Sequence, residues 1–238
     1  MKEDKITSQP IRVLLVEDDS ADQSLTKHAL AKSTYGSFEF NCMDTLKKGI
    51  EFAALGQTDV VLLDLNLPDS SGVDTFQIFK LHVTKIPIVV LSGLSNKEES
   101  LKAVRLGAQD YLIKDHIEGD LLGRSLIYAI ERKKAEIKLL ESEENFRNSM
   151  DNSPMGIRIV DQNWNTVYAN PVILNMLGYK NINEVPRNPL YAHYTAQERE
   201  RAKARGEKLA KGEPLQTDIE VDIIDKDGAI LHSSFISR

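Results

Sequence analysis

From Ile11 to about Arg132, short apolar runs alternate with amphipathic stretches, the pattern expected when parallel strands are joined by helices. Val13–Val16, Phe38–Cys42, Val60–Leu63, Ile88–Leu91 and Tyr111–Ile113 read as strands. The runs VLLV, VVLL and IVVL are continuous rather than alternating, as strands buried on both faces require. Between them Ser20–Lys32, Thr45–Ala54, Asp74–Leu81, Lys97–Leu106 and Asp120 onward read as helices. Leu25, Ala29 and Leu30 are expected on the core face of the first. Five strand–helix units predict an α/β fold, a doubly wound five-stranded parallel sheet.

The last helix continues past the fifth unit. Leu126, Ile130, Ile137 and Leu140 fall at steps of four and three if Lys133 is counted in register, and no Gly or Pro interrupts the stretch up to Phe146. This predicts a long connecting helix, either packed on its own domain or paired in a dimeric coiled coil. After Asn152-Ser153-Pro154 the pattern changes again. Ile157–Val160 and Thr166–Ala169 flank Asp161-Gln162-Asn163-Trp164-Asn165, a hairpin signal, and Asn170-Pro171 opens a helix ending near Gly178. A charged helix, roughly Ala196–Lys211, leads to strands at about Leu215–Ile224 and Ala229–Ile236 around the turn Asp225-Lys226-Asp227-Gly228. This second part reads as a separate α+β domain.

Composition narrows the classes. The 238 residues, 41% of them hydrophobic, are enough to bury a sizeable core and favour two domains over one. A formal net charge of -6 gives no general basic field for nucleic acid. The single cysteine, Cys42, excludes an internal disulfide and a thiolate-rich zinc site, and fits a reducing compartment. The opening MKEDKITSQP is too polar for a signal peptide, and no apolar run approaches the roughly 20 residues of a membrane span. The chain reads as cytoplasmic, with no membrane partner.

The chemistry lies at the strand ends. In an open parallel sheet the reactive crevice lies beyond the carboxyl ends of the strands. The first strand ends in Glu17-Asp18-Asp19, the third in Asp64, the fourth in Ser92-Gly93 and the fifth in Lys114. Carboxylates meeting in one crevice repel one another unless a hard cation neutralises them, and oxygen-only ligation suits magnesium. Lys114 offers a point charge and Ser92 a hydroxyl donor to phosphoryl oxygens. Any one acid alone would read as a helix cap or loop residue; together they describe a phosphoryl-accepting site.

LLVEDD, LLDLNLPDSSG, VVLSG and GAQDYLIK closely resemble the marks of the response-regulator receiver domain of two-component signalling, over about residues 10–130. The resemblance implies that Asp64 is the phosphoacceptor, attacking the phosphohistidine of a partner histidine kinase or phosphotransfer protein. It also implies that Asp18, Asp64 and the backbone carbonyl of Asn66 bind Mg²⁺ directly, with Glu17 acting through water. Asp19 is left as an extra acid. Ser92 becomes the switch hydroxyl, Lys114 the phosphate-binding lysine, and Tyr111 the aromatic that changes rotamer, with Gly93 leaving room beside it. The family usually has Pro after the lysine; here Asp115 follows, which predicts a trans peptide and an altered loop.

The segment from SEENF to NINEV resembles the start of a PAS sensor domain, and IIDKDGAI continues the likeness. This implies an antiparallel sheet with a ligand pocket, though it names no ligand. A reactive flavin-site cysteine is absent from this part, His193 reads as a surface or packing residue rather than a haem ligand, and Trp164 as a packing or partner residue. The expected plan is a receiver at 8–130, a connecting signalling helix at 131–147, and a PAS-like domain at 148–238 that stops before its last strand. Three functions follow as expectations. The first is a phosphorelay protein, dimeric through the helix; the second is a fragment of a hybrid sensor histidine kinase or nucleotide cyclase; the third is a non-titrating dimerisation scaffold.

Overall fold

The computed structural model describes residues 9–93, 97–114, 117–161, 163, 165–186, 192–213 and 218–236. Asp115, Trp164 and the first residues of the strand expected from Leu215 lie outside them. The chain divides into two compact units, residues 1–141 and 142–238.

In the first unit the strands are β1 (Ile11–Val16), β2 (Phe38–Met43), β3 (Val60–Asp64), β6 (Ile88–Ser92) and β7 (Asp110–Ile113), with a two-residue hairpin, β4 (Asn66–Leu67) and β5 (Ser70–Ser71), between β3 and β6. The five longer strands form one parallel sheet in the order β2-β1-β3-β6-β7. The helices are α1 (Ser20–Ala31), α2 (Leu46–Ala53), α3 (Val73–His82), α4 (Lys97–Arg105) and the part of α5 (Gly119–Asp151) up to residue 141. Val13–Val16 and Val60–Leu63 are fully buried because both sheet faces are covered. Leu14, Val16, Val61 and Leu63 pack with Leu46, Phe76, Phe79 and Ala103 on one face. Val13, Leu15, Val60 and Leu62 pack with Leu30, Leu122, Leu126 and Ala129 on the other. Successive side chains point to opposite faces, so an unbroken apolar run feeds both layers. A Cβ on Gly119, at the start of α5, would collide with the Ala29 carbonyl oxygen, so the absent side chain lets α5 approach the end of α1.

The first helix corrects one expectation. Leu25 is 65% exposed, whereas Thr26 and Leu30 are buried. Residues four apart share a helix face, and Leu25 is five before Leu30, roughly 140° away around the axis. The long helix is present: its start buries Leu122, Leu126 and Ile130, while Leu139, Leu140 and Phe146 are exposed. No helix among the described residues is long and apolar enough to cross a membrane.

The second unit contains two antiparallel hairpins, β8 (Arg158–Val160) with β9 (Thr166–Ala169), and β10 (Asp218–Ile224) with β11 (Ile230–Ile236). Helices α6 (Pro171–Leu177) and α7 (Ala196–Ala210) complete it with a short 3-10 turn, Ile182–Glu184. Pro171 sits in the first turn of α6, where its missing N–H costs no hydrogen bond, and Gly178 ends the helix in the left-handed region at φ 81°. Asn170 is fully buried with its amide saturated: Nδ2 donates to the carbonyls of Met150 and Met155, and Oδ1 accepts from the amides of Ile157 and Ile173. His193 is packed, with Nδ1 2.8 Å from the Ile224 carbonyl oxygen and the ring edge-on to Tyr179. Burial pushes its pKa below the ordinary histidine value. Ile173, Leu177, Tyr194, Ala202, Val221 and Ile223 form the core of this unit.

The geometry of α1 gives a direct test of its corrected face. Leu30→Ala is expected to destabilise the protein by about 2–5 kcal/mol, and Leu25→Ala by no more than about 0.5 kcal/mol, in urea unfolding monitored by circular dichroism. Equal losses would place both leucines in the core.

Candidate functional site

The register of the parallel sheet brings the chemistry-bearing strand ends level. Val16 pairs with Leu63, Asp64 with Leu91, and Ser92 with Ile113, so the residues at or just beyond these positions emerge at one edge. Glu17 follows β1 and is 1% exposed; Asp64 closes β3 at 5%, and Ser92 closes β6 at 2%. Lys114 follows β7 and reaches across them. Its Nζ lies 2.5 Å from Glu17 Oε2, 2.8 Å from Asp64 Oδ2 and 2.8 Å from Asp22 Oδ2. The other Asp64 oxygen, Oδ1, accepts a hydrogen bond from the Asn66 amide at 3.1 Å. Asp64 is thereby oriented through both carboxylate oxygens.

Glu17, Asp18 and Asp64 each offer a carboxylate oxygen, and these oxygens lie within 4.8 Å of one another. Three hard oxygen donors at this spacing suit Mg²⁺, with waters completing the shell. Asp18 is exposed, so one side of the cluster opens to solvent. Asp19 has a different task. It caps α1, its side chain accepting from the amides of Ala21 and Asp22, and these bonds hold its carboxyl below the usual range.

Ser92 lies at this sheet edge and Tyr111 opposite Val90 within the sheet, and both make other contacts. Ser92 Oγ donates to the Gly93 carbonyl oxygen at 3.0 Å, and Tyr111 is half-buried against the core layer of Phe76 and Phe79. Asn66 meets Asp64 through its backbone amide. The β4–β5 hairpin steadies this loop: Thr75 Oγ1 donates to the Leu65 carbonyl oxygen at 2.9 Å and lies 2.8 Å from Ser70 Oγ.

Asp22 is the site residue that sequence reading missed. Its signal was present, since Asp22 falls in the first turn of the helix that follows Glu17-Asp18, and a first-turn side chain there stays near the strand end. The electrostatics follow from burial. Desolvation pushes the Glu17 carboxyl up to about 7, against the opposing pull of Lys114 and with repulsion from Asp64 adding to the rise. Burial alone would lower the Lys114 pKa, but its bonds to Asp22, Asp64 and Glu17 outweigh that and raise it.

Comparison with known proteins agrees with this geometry. Residues 13–126 match the family model of the response regulator receiver domain, and residues 144–210 that of a PAS domain. The cell cycle response regulators CtrA of Brucella ovis and of Brucella abortus (strain S19) are each 40% identical over 124 residues, covering 52% of this chain and 51% of the relative. The chain thus spans about half the length of the curated relatives it matches. Among solved structures, a sensor protein from Polaromonas sp. JS666 is 28% identical, with a TM-score of 0.45, covering 52% of this chain and 98% of that one. A response regulator receiver domain protein from Clostridium thermocellum is 24% identical, with a TM-score of 0.46, covering 52% and 98%.

The raised Glu17 pKa has a thermodynamic signature. A carboxyl whose folded pKa lies above its unfolded value contributes stability that is fully present below about 4.5 and lost as pH rises through about 7. In EDTA, Glu17→Gln is therefore expected to remove a pH-dependent loss on the order of 2 kcal/mol between pH 5 and 8. Parallel urea-midpoint profiles for wild type and variant would contradict it.

Proposed function

Because residues 13–126 are a response regulator receiver domain and residues 144–210 a PAS domain, we propose that this chain is a phosphorelay protein whose Asp64 takes a phosphoryl group from a histidine kinase or phosphotransfer protein. The observation that carries the reading is the setting of Asp64. It is a buried carboxylate at a strand end, one oxygen on the Lys114 ammonium and the other on the Asn66 amide. Such a nucleophile is held in one orientation before its donor arrives, which converts part of the encounter cost into structure.

Asp18, Asp64 and the Asn66 carbonyl would hold Mg²⁺ directly, with Glu17 acting through water, and the ion would supply positive charge against the carboxylates and the phosphoryl oxygens. The chain's own residues do the rest. Lys114 donates to the phosphoryl oxygens once Asp64 is modified. Ser92 gives up its bond to Gly93 to follow them, and Tyr111 repacks into the space released. The proposed plan is a receiver at 8–130, a signalling helix at 131–147 and a PAS-like domain at 148–238, with the change passed along the helix in a homodimer. The exposed Leu139, Leu140 and Phe146 support pairing of this helix. The proposed setting is the cytoplasm.

Incubation with acetyl phosphate and MgCl₂ is expected to give a hydroxylamine-labile phosphoryl label on wild type, none on Asp64→Asn, and none in EDTA. Retention of the label on Asp64→Asn, or its absence from wild type, would overturn the assignment. For the helix, Leu139→Ser with Leu140→Ser is expected to shift sedimentation from dimer to monomer while leaving the label intact.

A further inference from the structure

The Lys114 ammonium has three N–H donors and no acceptor. The carboxylates of Glu17, Asp22 and Asp64 lie 2.5, 2.8 and 2.8 Å from Nζ, Asp22 and Asp64 accepting hydrogen bonds and Glu17 making a close ion pair. They differ in what holds them. Glu17 is buried beside the sheet, with a side chain 1% exposed. Asp22 stands at the solvent side, its side chain 34% exposed, on a helical turn whose first amides are fixed by the Asp19 cap. Asp64 is the group that changes during reaction.

We propose that Asp22 is a positioning residue for phosphoryl transfer, keeping the Lys114 ammonium in place while the Asp64 carboxylate becomes an acyl phosphate. This rests on the reading of Asp64 as phosphoacceptor. With acetyl phosphate as donor, an Asp64 oxygen forms a bond to phosphorus as the bond from phosphorus to the acetyl oxygen breaks. Acetate leaves with the electron pair, and no proton is transferred. Asp64 loses its carboxylate charge to the new bond, and negative charge moves outward onto the phosphoryl oxygens. The N–H that pointed at Asp64 must turn to those oxygens. Glu17 and Asp22 are unchanged by the step and remain as anchors on either side of that exchange. Without Asp22, a flexible four-carbon stem is left with one unchanging partner.

Asp22 also carries a negative charge, which repels an anionic donor and acts in the opposite sense. Two variants separate these effects: Asp22→Asn keeps an oxygen acceptor without the charge, and Asp22→Ala removes both. The experiment measures labelling of the intact chain by acetyl phosphate with Mg²⁺, and separately, without donor, solvent exchange of the Lys114 ammonium hydrogens by ¹⁵N NMR. Asp22→Ala is expected to slow labelling roughly tenfold and to speed ammonium exchange by about the same factor, with Asp22→Asn within about twofold of wild type in both. Unchanged rates in Asp22→Ala, or equal acceleration of labelling in both variants, would overturn the positioning role alone. A wild-type chain that takes no label would overturn the phosphoacceptor reading on which it rests.

Discussion

The arrangement at the sheet edge depends on one cation among like charges. Two carboxylates about 4 Å apart repel by roughly 4 kcal/mol at an effective dielectric constant near 20, and more where water is excluded. Glu17, Asp22 and Asp64 are kept together because Lys114 places an ammonium within 2.8 Å of each. One positive charge does not offset three negative ones. Glu17, the most deeply buried of them, takes up part of the difference as a carboxyl that resists ionisation. The exposed Asp18 opens one side of this charge imbalance to solvent.

Packing delivers these side chains with little freedom. The strands that carry them are buried on both faces by two separate core layers, so register along the sheet sets the depth at which each acid emerges. The loops are tied down by polar bonds of their own. Asp69 accepts from the amides of Leu46 and Lys47 at the start of α2, and Thr75 holds the Leu65 carbonyl, so the chain just past Asp64 is fixed from two sides. Asp64 is the acid in that loop left facing the crevice.

Much of this was legible in the sequence because strand burial on both faces writes itself as continuous Val, Ile and Leu, and strand ends then locate the chemistry. Glu17, Asp64, Ser92 and Lys114 all lie at strand ends by that logic, and the structure brings them to one edge. Two things were less legible. Leu25 looked like a core residue because it is apolar, yet the α1 face is set by Leu30, and the matching position belongs to the polar Thr26. In the sequence Asp22 is one acid in the first turn of a helix, where acids are common as helix-dipole partners; the reach of Lys114 across the sheet, a contact spanning 92 residues, gives it a second role. In the second unit, turns built on Asp161 and Asp225 were readable because their carboxylates bond the amides of the turn itself.

Asn170 bears on how freely this sequence can drift. Its amide donates twice and accepts twice, joining the end of α5, the approach to β8 and the first turn of α6 at a single side chain. Aspartate has the same shape but would turn an oxygen toward the carbonyls of Met150 and Met155. Glutamine has the same chemistry but is one methylene too long, and serine or threonine can fill only the capping part. A fully buried position with four fixed partners leaves one residue type that fits. The buried apolar residues of α6, Ile173, Leu174 and Leu177, can be exchanged among residues of similar volume; the asparagine cannot.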